Sequence, residues 1–258
     1  MGILTNIWGD CQEYKGLKLY PFIMNDYELF EELITSLIFK KNKIPDIQII
    51  KMSYLKFILC VLPHLKNENG KILFGDISEK LKQLLSYVFK TDDVVFFMDE
   101  REKIFISVKV LDYNLLINEK DFDELKKIIL TQNAIPVNNN TLHPDVEKEL
   151  EEAMDYMARR QQLEDGNIED LITSYKCEMR FEDYKPIRKM TIYQFRKELK
   201  RLNLIKEHLI YKTAEMSGMV TFKEKIPHWM SHIKDEIDYS QVMMKKSDFD
   251  AKMDSINK

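Results

Sequence analysis

Glycine is scarce in this chain: 7 of 258 residues, about a third of the usual share of ~7%. That scarcity disfavours folds built on glycine-rich phosphate loops or many tight hairpins, and it excludes collagen-like chains. Cysteine is scarcer still, with Cys11, Cys60 and Cys177 odd in number and widely scattered, unlike a disulfide framework. A reducing cytoplasm is the expected setting. No stretch reaches the ~18 uncharged residues of a membrane helix, and Asp10 and Glu13 stand where a secretory signal needs an apolar run. The expectation is a protein that stays in the cytoplasm where it is made, with no membrane partner. Nor is there a stripe of one charge, because 39 basic and 43 acidic residues alternate to a net −4. A polyanion has nothing to follow, so nucleic acid is not an expected partner.

What is present suits a folded protein, with 45% hydrophobic and 32% charged residues. Tyr14 to Met24 alternates around Leu17, Leu19 and Phe22 and reads as a short edge strand, since Pro21 cannot donate to a central ladder. Asn25 or Asp26 can cap a following helix whose stripe is Phe30, Leu33, Ile34, Leu37 and Ile38. Met52 to Leu62 is apolar nearly all round, hence buried, and stops at Pro63. Asp76 and Glu79 have capping-box spacing ahead of Ile77, Leu81, Leu84, Leu85 and Val88. The period becomes two from Val94 to Met98 and from Ile104 to Val110, around the polar tetrad 99–102, which predicts a β-hairpin. Asn118 opens a helix that turns Phe122, Leu125, Ile128 and Ile129 inward.

These pieces make an α+β core domain over residues 1–133. Residues 134–143 are Asn-rich and lose periodicity, as a linker does. A helical region is expected over 144–246, with Pro144 at the first position of a helix striped by Val146, Leu150, Met154 and Met157. A short helix from Ile168 to Cys177 follows. Thr191 and Gln194 then form a capping box for the longest periodic segment, about 191–217, closed by Gly218. Its stripe is Ile192, Phe195, Leu199, Leu202, Ile205 and Leu209, about 40 Å of helix at ~1.5 Å per residue. One more helix is expected from Pro227, carrying Trp229, Ile233 and Ile237, and a frayed tail over 247–258. The class is mainly α with a small β-hairpin and edge-strand element: an α+β N-terminal domain and an all-α C-terminal region.

Chemistry is harder to find. No Walker loop, dinucleotide fingerprint, nucleophile elbow or Cys-x-x-Cys pair occurs. His228 and His232 are four apart, as two zinc ligands on one helix would be, yet only Asp235 or Glu236 could add a nearby third. Carboxylate neighbours such as Asp92–Asp93 and Asp99–Glu100 read as solvated surface, and Cys60, in the most apolar run, as a buried structural thiol. No catalytic, cofactor or metal residue is therefore assigned. Most of the 14 methionines fall in the second half, where they serve either as core filler or as a pliable surface for another protein's helices.

Tyr14-Lys-Gly-Leu-Lys-Leu-Tyr-Pro-Phe with Asp26-Tyr27 and Lys51–Phe57, then Asn118–Leu125 through Gln132-Asn133, then Met190–Leu202 and His228–Ile233, resemble tail-module proteins of bacteriophages and prophages of low-GC Gram-positive bacteria. The nearest functional match is a phage tail assembly chaperone. The resemblance implies a non-enzymatic protein of the host cytoplasm that binds the tape measure protein, or another tail protein, until tube subunits replace it; self-association is a further expectation. Candidate partner-binding residues are Ile192, Phe195, Leu199, Leu202, Ile205, Leu209 and Trp229. The stripe is either partly exposed for that purpose or wholly core. A virion structural protein, such as a connector or baseplate component, and an inhibitor of a host defence protein stay open as other functions.

Overall fold

The structure is a computed structural model that describes residues 4–41, 44, 46–66, 70–137, 167–222 and 225–233, with scattered helical positions between 146 and 156. Helix dominates at 56%, with small two- and three-stranded antiparallel sheets and a helical C-terminal part, which is the class the sequence predicts. In chain order, α1 (Thr5–Trp8) precedes the hairpin β1 (Gln12–Tyr14) and β2 (Leu17–Leu19). Then come α2 (Tyr27–Ile38), α3 (Ile47–Lys51), α4 (Tyr54–Lys56) and α5 (Ile77–Phe89), the sheet β3 (Val94–Met98), β4 (Ile104–Val110) and β5 (Tyr113–Asn118), and α6 (Glu119–Gln132). The C-terminal part holds α7 (Ile168–Met179), α8 (Lys185–Lys189) and α9 (Ile192–Met216).

The first strand is a correction. Instead of one edge strand from Tyr14 to Met24, a hairpin turns at Lys15 and Gly16, both at positive φ, and Pro21 lies beyond it. Asp26 and Asp76 precede helices as predicted, but neither side chain caps one. The Asp26 carboxylate accepts from the Tyr87 hydroxyl at 2.6 Å, and Asp76 pairs with Lys80 at 2.9 Å. In both places a stronger charged or long-range partner outcompetes the local amide. Asn118 does cap α6, accepting from the amides of Lys120 and Asp121.

The predicted hairpin gains a third strand, β5, through a turn at Leu111, whose φ of 54° is unusual for a branched residue. The inner face of this sheet presents Val94, Ile104, Ile106, Val108, Leu115 and Ile117 to the core. The apolar run after Met52 winds from α4 through a π-helical turn, Phe57–Val61, into a 3₁₀ turn, Leu62–His64, so the chain passes one residue beyond Pro63 before leaving the helix. Tyr54, Leu55, Phe57, Ile58 and Leu62 are buried there. Cys60 is only half-buried, because its face of the turn lies at the margin of the core.

One hydrophobic cluster joins the helices, the sheet and the C-terminal part: Phe22, Phe30, Leu37, Leu84 and Phe122 share it with Tyr175, Ile187, Ile192 and Phe195. The two halves therefore bury part of their apolar surface against each other. Residues 134–137 continue from α6 without helix or strand. The rest of the expected linker, the helix start at Pro144 and the tail from Ser247 lie outside the described residues.

Candidate partner-binding surface

The capping box at the head of α9 fixes where the long helix starts. The Thr191 hydroxyl accepts from the Gln194 amide at 3.1 Å, and the Gln194 side chain accepts from the Thr191 amide at 2.8 Å. The same residues dock it to the N-terminal domain. Met24 donates to the Met190 carbonyl at 2.8 Å, Ile192 donates to the Phe22 carbonyl at 2.9 Å, and the Gln194 side-chain amide donates to the Ile7 carbonyl at 2.9 Å. Gly9, at φ 76°, lies so close that an added Cβ would meet the Thr191 methyl at 3.1 Å. Arg196 reaches the Asn133 carbonyl at 3.2 Å, which ties α9 to the end of α6.

From this base the stripe changes character along its length. Ile192 and Phe195 are buried, Phe195 lying edge-on to Tyr175 with ring centroids 5.3 Å apart. The Tyr175 hydroxyl donates to Glu198, and burial and that carboxylate together push its pKa upward. Leu199 and Leu202 rest half-buried against the core margin, and Ile205 is half-buried beyond them. Leu209 is 60% exposed and Met219, past the helix end, is 91% exposed. Ile210, Tyr211, Met216 and Val220 are exposed there as well. At 25 residues, α9 is about 37 Å long, and its exposed apolar residues begin at Leu209, one turn beyond the Lys206–Glu178 contact with α7.

Residues 225–233 run back along α9 as a strap, from His208 toward the base of the helix. Arg201 donates to the carbonyls of Trp229 and Ser231, and Lys197 to that of Ile233. His208 Nδ1 lies 2.7 Å from the Pro227 carbonyl; since a carbonyl only accepts, that nitrogen carries the proton. Ile226 is buried beneath the strap, and Phe222 packs on Tyr211 with rings 5.5 Å apart. Trp229 is left 43% exposed beside the exposed Met230. Lys206 pairs with Glu178 at 2.7 Å and holds α7 against α9.

The strap corrects the helix expected from Pro227, for its described part has only a turn at 229–230. A helix would spend the carbonyls of Pro227 and Trp229 on its own amides, whereas here the side chains of α9 take them. His228 and His232 consequently do not share a helical face. His228 Nδ1 instead accepts from the Met230 amide at 3.2 Å. Among the described residues no group of three or more His, Cys, Asp or Glu is placed to hold a metal ion; Asp235 and Glu236 lie outside them.

The sequence-predicted residues thus divide into a docked pair (Ile192, Phe195), a marginal set (Leu199, Leu202, Ile205) and an exposed pair (Leu209, Trp229). Periodicity missed the exposed Ile210, Met216, Met219 and Val220. The three-residue gap between Met216 and Met219, across the Gly218 stop, was the signal that could have found the last of these. A separate polar cluster lies between α4 and α6, where the Lys126 ammonium sits 3.1 Å from the centroid of the Tyr54 ring. Burial pushes the Lys126 pKa down to about 7, against the opposing charge of Asp123.

The fold and this surface describe a mixed α+β protein whose long helix carries exposed apolar side chains toward its far end. Over residues 159–234 the chain is similar to the YomV second domain, a phage-associated domain family. That match covers α7, α8, α9 and the strap. Neither the curated proteins nor the solved structures gave a match to the chain. No helix among the described residues is long and apolar enough to cross a membrane.

Proposed function

We propose that this chain is a non-enzymatic phage tail assembly chaperone of the host cytoplasm, which covers apolar helical stripes of the tape measure protein through the distal half of α9 and its strap. The observation that carries the reading is the exposed apolar run of Leu209, Ile210, Met216, Met219, Val220 and Trp229 on an arm whose base is locked into the core. Exposed apolar side chains gathered on one surface mark interaction sites. Methionine and aromatic rings suit a partner that presents varying helical faces. The similarity of residues 159–234 to a phage-associated domain supports the setting, and the resemblance to tail-module proteins supplies the partner.

The test is co-expression with the long helical tape measure protein, followed by affinity capture and measurement of soluble partner. The expected result is a partner made soluble by the wild-type chain and left insoluble by Leu209→Asp combined with Met219→Asp, variants that fold normally. A partner equally soluble with and without the chain refutes the chaperone. Recovery of the chain in purified virions favours a structural tail component instead.

A further inference from the structure

We draw no further inference here: the strongest candidate, the open edge of β3 with the exposed side chains of Val95 and Phe97 on the sheet face beside it, carries none because nothing in the structure shows what covers it.

Discussion

Replacing Phe195 by Ala and Leu209 by Asp separates the base of the long helix from its arm. Phe195 is buried edge-on to Tyr175 in the cluster both halves share. Truncating such a ring costs about 3–5 kcal/mol, the lost edge-on pair with Tyr175 included. At about 2–4 °C per kcal/mol for a chain of this size, the melting temperature falls by on the order of 10 °C. Leu209 is 60% exposed, so its replacement changes stability by no more than about 0.5 kcal/mol. The assay is urea unfolding followed by far-UV circular dichroism and by the fluorescence of Trp8, beside the head of α9, and Trp229 on the strap. Because one core joins the halves, both signals report one transition, and Phe195→Ala moves both. A change under about 1 kcal/mol for Phe195→Ala, or a fluorescence transition that moves while the dichroism transition stays, refutes the shared core.

Lys126 gives a pH signature. Its folded amine titrates at about 7 and its unfolded amine near ~10.4, so between those values the unfolded chain holds a proton that the folded chain does not, and stability rises with pH by up to about 1.4 kcal/mol per unit. Urea titrations from pH 7 to pH 9 therefore show a gain in the wild type that Lys126→Met lacks; parallel curves contradict the buried amine. Thr191→Ala removes the cap that Gln194 uses and costs about 1–2 kcal/mol in the same assay, whereas Thr191→Ser stays close to the wild type. Arg201→Ala frees the carbonyls of Trp229 and Ser231, leaves the exposed apolar side chains in place, and weakens capture of a partner by about fivefold to tenfold in a titration, the entropy of an unfastened strap. Unchanged affinity means that the strap does not contribute to binding.

Much of the fold is legible where one residue has a single local task. Asn118 and the Thr191–Gln194 pair cap the helices they precede, and the alternation of Ile104, Ile106 and Val108 marks the central strand. The failures come where a distant partner takes over. Asp26 belongs to Tyr87, and the carbonyls of Pro227, Trp229 and Ser231 belong to His208 and Arg201, which local spacing does not display; Asp76 instead pairs with Lys80 one turn on, a local ion pair that competes with the cap. The strand β5 was hidden for another reason: Leu115, Leu116 and Ile117 put apolar side chains on both faces, and the turn before it has Leu111 where a glycine or asparagine would signal a hairpin. The candidate surface was half legible. Three-and-four spacing identifies the face of α9, but it carries no information about how far along the axis neighbouring helices extend.

That axial information decides what the stripe can do. If the whole stripe were buried, α9 would be a core helix; if it were exposed from end to end, the helix would lack the tertiary packing that supplies most helical stability. The observed gradient meets both demands. Phe195 and Ile192 anchor the base, the Lys206–Glu178 pair and the Arg201 and His208 contacts stiffen the middle, and the side chains of Leu209 and Trp229 are exposed. An apolar surface already held in place loses little further entropy when a partner lands on it, so the same area binds more tightly than on a loose chain. In the proposed chaperone the small extent of this surface would also let a partner leave. Reversible protection, the role proposed for this chain, needs both properties, and a helix of 25 residues that is buried at its base and exposed at Leu209 and Met216 supplies them.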